Sequence, residues 1–338
     1  MHTFNEQKLA QLRELLNNSP NIVIVAHKSP DGDSIGSSVG LYHYLKKKGL
    51  SVEICHPDPS PSFLHWINGV DEIKNFEDNT SDVKEIINNS DVIFCLDFND
   101  FGRVGNGIKP LLETSKASKI MIDHHLNPSD EFDLEFSEIE SCSTSQLIYD
   151  LIDSMEDIDL LDENIGEPLY CGIMTDSGSF RFPSTTPHTH EVIAGLMRAG
   201  VKNYKVHENV FDTNTLARLR LRGYAINEKL EILDEYGTAI ISLSKAELEK
   251  FNYVKGDTEG LVNIGLSITG IDKSIFLKEG DGIIKISFRS KGSDNPINVM
   301  ASKYFQGGGH ANASGGMWNG SLEEAVKKIK EVLPEFNK

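Results

Sequence analysis

The sequence predicts an α/β protein: an N-terminal doubly wound, mostly parallel sheet, a helical linker, and a smaller C-terminal α+β domain. Three observations carry this. Short apolar, β-branched runs alternate with helical stretches through the first half, the pattern of a parallel sheet covered by helices. A chain of 338 residues exceeds one ordinary domain and suggests two. After about residue 187 the alternation gives way to helices and then to closely spaced strands. The expected divisions are 1–187, a linker over 188–230, and 231–338.

Taken in order, residues 5–18 read as an amphipathic helix, and "NIVIVAH" (21–27) as a buried strand. "SPDGD" is a turn, and "SIGSSVGLYHYLKKKG" a helix ended by Gly49. The runs at 50–56, 90–97 and 118–125 are further strands with helices between them. In "SCSTSQLIYDLIDSM", Ser143 and Gln146 have capping-box spacing at a helix start. "ENIGEPLYCGIM" places Ile165, Leu169 and Ile173 on one helical face. "THEVIAGLMRAG" and "TNTLARLRLRGYAINEKL" read as linker helices. "EILDEYGTAIISLS" and "SIFLKEGDGIIKISFRS" supply the strands of the second domain, and "SLEEAVKKIKEVLPEF" its last helix.

Composition narrows the partners. Thirty-three basic against 51 acidic residues give a net charge of −18. That argues against wrapping long duplex nucleic acid, which needs a lysine and arginine surface. A small anionic substrate remains compatible, because a cation-holding cleft is locally positive inside an acidic protein. No apolar run is long enough for a bilayer, and the polar N-terminus does not resemble a signal peptide. Cys55, Cys95, Cys142 and Cys171 form no CxxC pair, so the expected compartment is a reducing cytoplasm. The expected assembly is a monomer or homodimer.

Four segments deliver polar side chains to strand ends or nearby loops, where open parallel sheets bind ligands. They are His27, Asp31 and Asp33 in "AHKSPDGDS"; Asp97 closing "DVIFCLD"; Asp123, His124 and His125 in "MIDHH"; and Asp176 in "GIMTDSGSF". The turn at Pro30–Gly32 lets Asp31 and Asp33 swing back towards His27. Each segment also has a structural reading: Asp31 or Asp33 as a helix cap, Asp97 and Asp176 as loop acids, the trio as a hydrogen-bonded cluster. Together, up to five carboxylates at one sheet edge would repel strongly, and these segments lack the lysine or arginine to neutralise them. Two divalent cations would do so, and oxygen-rich ligation with imidazole suits Mn2+, Mg2+ or Co2+. Such a pair activates water for displacement at phosphorus. With the strand running to residue 125, alternation sends His124 and His125 in different directions, one to metal and one to substrate.

In order, "HKSPDGDSIGS", "LD" at 96–97, "DHH" at 123–125 and "TDSGSF" at 175–180 resemble the motifs of the DHH phosphoesterase superfamily. "SFRSKG" (287–292) and "GGGHANASGG" (307–316) resemble its C-terminal DHH-associated domain. The likeness is greatest to the nanoRNase (oligoribonuclease) branch, which also dephosphorylates 3′-phosphoadenosine 5′-phosphate. The resemblance implies a Mn2+-dependent hydrolase acting on short RNA and small nucleotides through a hydroxide bridging two cations. It implies His27 and Asp31 on one cation, Asp33, His124 and Asp176 on the other, and Asp97 bridging. Asp123 would orient its neighbours, and His125 would face substrate. Arg103, Arg289, Gly308, Gly309, His310 and Ser314 would contact substrate, in a cleft between the domains.

From pattern alone, "NPINVMASKYFQGGGH" is a helix from near Pro296 to Gly307. The glycines then either bring backbone N–H groups close to an anion or simply end the helix. Arg218, Arg220 and Arg222 read as a solvated or structural helix face. A cytosolic cyclic-di-AMP or pApA phosphodiesterase is the main alternative, with no sensor or membrane segment ahead of the motifs. An exopolyphosphatase and an inactive nucleotide sensor are the others.

Overall fold

The computed structural model describes residues 4–292 and 294–336. The chain forms two compact units, one ending at Thr213 and the other beginning at Asn214.

In the first unit, six strands form one sheet: β1 (Ile22–Ala26), β2 (Val52–His56), β3 (Ile73–Asn75), β4 (Val92–Leu96), β5 (Ser118–Asp123) and β6 (Leu134–Ser137). All neighbours pair in parallel, in the order β3-β2-β1-β4-β5-β6. The helices are α1 (Glu6–Asn18), α2 (Gly32–Lys47), α3 (Thr80–Asn88), α4 (Gly105–Thr114), α5 (Thr144–Ser154), α6 (Glu163–Asp176), α7 (Pro187–Arg198) and α8 (Asn203–Phe211). Both faces of the sheet are covered. Ile22 and Ile24 of β1 pack into one core with α2, α5 and α6, while Val23 and Val25 pack into another with α3 and α4. This is the doubly wound fold that the alternation predicts. Strand order reverses between β1 and β4, the place where such sheets open a crevice.

Helices α2 and α6 approach closely because glycine lines the contact. A Cβ on Gly36 would overlap the carbonyl oxygen of Pro168 and stand 3.0 Å from Gly172 N. One on Gly172 would overlap the Ser145 hydroxyl and lie 2.9 Å from Asp33 Oδ1. The close contact of backbones therefore sets where Asp33, near the start of α2, lies relative to Asp176, the last residue of α6.

His56, fully buried at the end of β2, gives a pH-dependent stability. The Ser38 hydroxyl donates to Ser34 O (2.7 Å), so His56 Nε2, 3.0 Å from that hydroxyl, is the donor. Nδ1 has no hydrogen-bond partner among the described residues. Burial, then the charge of His27, holds the imidazole down to about 3. The unfolded chain protonates it near 6.5, so only the unfolded state gains a proton between those values. Stability is full above about pH 6.5 and falls by ~1.4 kcal/mol per unit below it. Between pH 7 and pH 5, His56→Gln is expected to lose about 2 kcal/mol less than the parent in urea unfolding. Equal losses would contradict this assignment.

The second unit contains α9 (Leu216–Glu228), β7 (Leu230–Leu233), β8 (Thr238–Leu243), α10 (Lys245–Lys250), α11 (Leu261–Leu266), β9 (Lys273–Glu279), β10 (Ile284–Ser290), α12 (Asn298–Tyr304), β11 (Gly308–His310), β12 (Ala313–Trp318) and α13 (Leu322–Val332). Its sheet, in the order β11-β12-β10-β9-β8-β7, is mixed, with β8 and β9 parallel. Residues 188–230 are thus divided: α7 and α8 lie in the first unit and α9 in the second. No helix among the described residues is long and apolar enough to cross a membrane.

Candidate metal centre

The centre lies at the carboxyl ends of β1, β4 and β5. His27 follows β1 and Asp97 follows β4, on the two strands flanking the reversal point. Asp97 has a left-handed backbone (φ 62°), and its N–H donates to Ile122 O (3.1 Å) at the end of β5. Aspartate is among the few non-glycine residues that tolerate this conformation.

The side chains converge in three overlapping groups: His27, Asp31 and Asp97; Asp33, His124 and Asp176; and Asp97, His124 and His125. Asp97 divides its oxygens between them. Oδ2 lies 3.2 Å from His27 Nε2, and Oδ1 lies 3.6 Å from His124 Nε2. His124 Nε2 is also 3.5 Å from Asp176 and 3.9 Å from Asp33.

The backbone orients these donors. Nδ1 of His27 lies 2.9 Å from Lys28 O, and Nδ1 of His124 lies 3.2 Å from Ser141 O. A carbonyl only accepts, so each Nδ1 carries a proton, and Nε2, turned towards the carboxylates, is the atom that would ligate a cation once it gives up its own proton. Asp31 caps α2, its Oδ1 accepting from the N–H groups of Asp33 and Ser34, while Oδ2 lies 3.8 Å from His27. It is therefore a cap and a candidate ligand at once. Asp33 accepts from the N–H groups of Thr144 (2.7 Å) and Ser145 (2.8 Å), the first turn of α5. It faces His124 and not His27, because α2 begins at Gly32 and carries it to the other side.

The structure corrects the alternation expected at the DHH segment. β5 ends at Asp123, so both histidines leave the strand and face one pocket, their ring centroids 4.9 Å apart. Asp123 is fully buried and serves His125: its carboxylate accepts from His125 N–H (2.9 Å) and Nδ1–H (2.7 Å).

Crowding and burial shift the proton affinities of these groups against one another. Burial raises Asp33 well above the usual carboxylate range, and Asp97 and Asp176 add to it. Loss of water contact, then Asp97 and Asp31, push Asp176 up to about 7 against the pull of His124. Burial opposes ionisation of Asp97 too, but His124 and His27 outweigh it and hold this carboxyl well below its ordinary range. Burial likewise disfavours protonated His124, yet Asp97, Asp33 and Asp176 raise it to about 10. A donor set of crowded carboxylates and imidazoles with aligned Nε2 atoms fits divalent cations that favour oxygen and nitrogen.

Other candidate residues lie elsewhere. Arg103 is half-buried in the loop after β4, and its carbonyl accepts from Lys28 N–H (2.8 Å), one residue from His27. In the second unit, register sets Arg289 opposite Ala313 and Ala313 opposite His310, so Arg289 and His310 share one face. Ser314 pairs with Phe288 and Gly309 and so lies on the opposite face. The glycine segment forms edge strand β11 against β12, where the sequence pattern leaves an anion-binding approach and a simple helix end both open; α12 ends earlier, at Tyr304. Gly308, Gly309 and His310 are exposed there. Arg220 is exposed, whereas Arg218 and Arg222 are half-buried on the side of α9 that carries Leu221 and Ala225.

Comparison with known proteins decides the family. Residues 21–173 match the DHH family N-terminal domain, and residues 237–335 match the DHHA1 domain. The bifunctional oligoribonuclease and PAP phosphatase NrnA of Bacillus subtilis (strain 168) is 32% identical over 298 residues, 87% of this chain and 88% of its own. The chain belongs to the DHH family. A crystal structure of an exopolyphosphatase-related protein from Bacteroides fragilis superposes with a TM-score of 0.96 at 38% identity, covering 99% of this chain and 98% of that one. The cyclic-di-AMP phosphodiesterase PdeA of Listeria monocytogenes (serotype 1/2a, strain 10403S) is 27% identical over 96% of this chain, which spans 49% of that protein.

Residues that orient this DHH-family centre escaped the sequence reading. Lys28 O, Ser141 O and the first turn of α5 act through the backbone, which leaves no side-chain signature. The cap at Ser143 was the available hint, since it announces a helix start with unpaired N–H groups.

Proposed function

We propose that this chain is a phosphoesterase dependent on two divalent cations, Mn2+ before Mg2+ or Co2+. It hydrolyses short oligoribonucleotides and 3′-phosphoadenosine 5′-phosphate in the cytoplasm. The observation that carries the reading is Asp97, whose two oxygens are divided between two ligand groups. His27 and Asp31 would hold one cation, Asp33, His124 and Asp176 the other, and Asp97 both. Bound there, such cations neutralise phosphoryl charge and acidify the attacking water. The protein's own part is orientation and proton transfer. Asp123 fixes the His125 ring, and His125 donates a proton to the leaving oxygen. In the second unit, Arg289 and His310 would hold a substrate phosphate, with the exposed Gly308 and Gly309 beside them, whereas Ser314, on the other face, would not reach it; Arg103 would hold one near the metal centre.

The similarity to NrnA favours short RNA and PAP, and the similarity to PdeA supports cyclic-di-AMP or pApA as a second reading. Kinetics in Mn2+ on 3′-phosphoadenosine 5′-phosphate, a short RNA, pApA, cyclic-di-AMP, pyrophosphate and polyphosphate test them. The first two are expected to give the highest kcat/KM. A clear advantage for pyrophosphate or polyphosphate would overturn the proposal.

The two adjacent histidines should fail differently. His124→Ala is expected to lower metal content. His125→Ala should keep metal and lose about 10²- to 10⁴-fold in kcat, the range for a general acid. Metal analysis showing equal loss in both variants would contradict the division.

A further inference from the structure

The turn after Asp176 carries an exposed ring that the hydrolytic chemistry leaves unused. Gly178, Ser179 and Phe180 all have left-handed backbones, with φ of 58°, 57° and 64°. A bulky residue rarely adopts this region. Packing holds Phe180 there: its ring centroid lies 5.9 Å from those of Tyr170 and His190, and its N–H donates to Ser177 Oγ (3.0 Å). The chain consequently doubles back. The N–H groups of Arg181 and Phe182 both donate to Ser177 O, at 3.0 and 3.1 Å. Arg181 Nε donates to Gly178 O (2.6 Å). Phe182 is thereby tied to the residue that follows Asp176.

The Phe182 ring lies over Gly178. A Cβ on Gly178 would stand 2.5, 2.6 and 2.8 Å from Cζ, Cε1 and Cε2. Three adjacent ring atoms nearly equidistant from one point place that point above the face of the ring. Glycine is needed here for both its space and its φ. With one face on the backbone, Phe182 is still 46% exposed. It is a flat apolar surface on a braced turn, anchored beside a candidate metal ligand.

We infer that Phe182 is a stacking platform for a nucleobase adjacent to the phosphate being cleaved. This rests on the nucleotide reading above. Continuity with the centre argues for substrate as the occupant, because the turn that carries the ring begins at the residue after Asp176. Every base has a π-face, so such a platform accepts all four bases. Polyphosphate has no such face, so the platform also favours nucleotides over inorganic chains.

The test uses the full-length, Mn2+-loaded protein, diadenylate, and a diadenylate analogue lacking the base beside the cleaved phosphate. Phe182→Ala should lower the kcat/KM ratio of diadenylate to the analogue by about 5- to 100-fold, mainly through KM, and Phe182→Tyr should restore it. An unchanged ratio with parallel loss on both substrates would mean that Phe182 merely covers Gly178, and would overturn the inference. Phe182→Trp gives a readout independent of turnover: adenosine monophosphate should quench the added emission. If the parent cleaves no nucleotide, the functional reading fails; quenching then still supports the platform, and its absence overturns it.

Discussion

Asp97→Asn is expected to lower kcat by on the order of 10³-fold or more, with the fold intact. The magnitude follows from position. Among the described residues, Asp97 is the one side chain whose two oxygens reach both His27 and His124. A metal pair supplies several kcal/mol of transition-state stabilisation, and each 1.4 kcal/mol is about tenfold in rate. The amide keeps the shape and an acceptor for the Thr144 hydroxyl, 3.2 Å away in the parent. Asparagine also tolerates the φ of 62° at this site, which alanine would not without strain. A circular dichroism spectrum like that of the parent, with turnover lost, is the expected pair of results. Near-parental turnover would remove Asp97 from the centre.

Gly36→Ala is expected to cost about 1–3 kcal/mol of stability, and about 10²-fold in kcat even where the protein stays folded. Most alanine substitutions of helical glycine raise helix propensity. Here the added methyl would meet Pro168 O and Gly172 N, backbone atoms that cannot rotate away. Helices α2 and α6 must separate, and Asp33 and Asp176 separate with them. A misplacement of ~1 Å at a reacting centre costs about a hundredfold. Thermal unfolding with kinetics below the transition measures both effects. A gain in stability would show that the contact has room to relax.

Much of the first unit was legible because β1, β2, β4 and β5 are short apolar runs that only a doubly covered sheet can bury. Candidate ligands were legible because polar residues at the ends of such runs demand an explanation. Strand ends were less so: "MIDHH" carries no residue that marks Asp123 as the last in β5, and the orientation of two histidines turned on that boundary. The left-handed φ at Asp97 had no signal, since aspartate adopts either backbone. Gly32, Gly36 and Gly40 recur every fourth residue on α2 and all face α6, a spacing left unread in the sequence. Its partner on α6 depends on tertiary packing. In the second unit, glycines favour several backbone paths, so pairing of Gly308–His310 with β12 followed from sheet formation and not from local preference.

The central claim is a centre that binds two cations and works only when both are present. Metal-stripped protein titrated with Mn2+, with bound metal counted and turnover of a short RNA followed at each addition, tests it most directly. The account predicts two cations per chain and full activity only as the second site fills. Saturation at one cation, or full turnover with none, would contradict it.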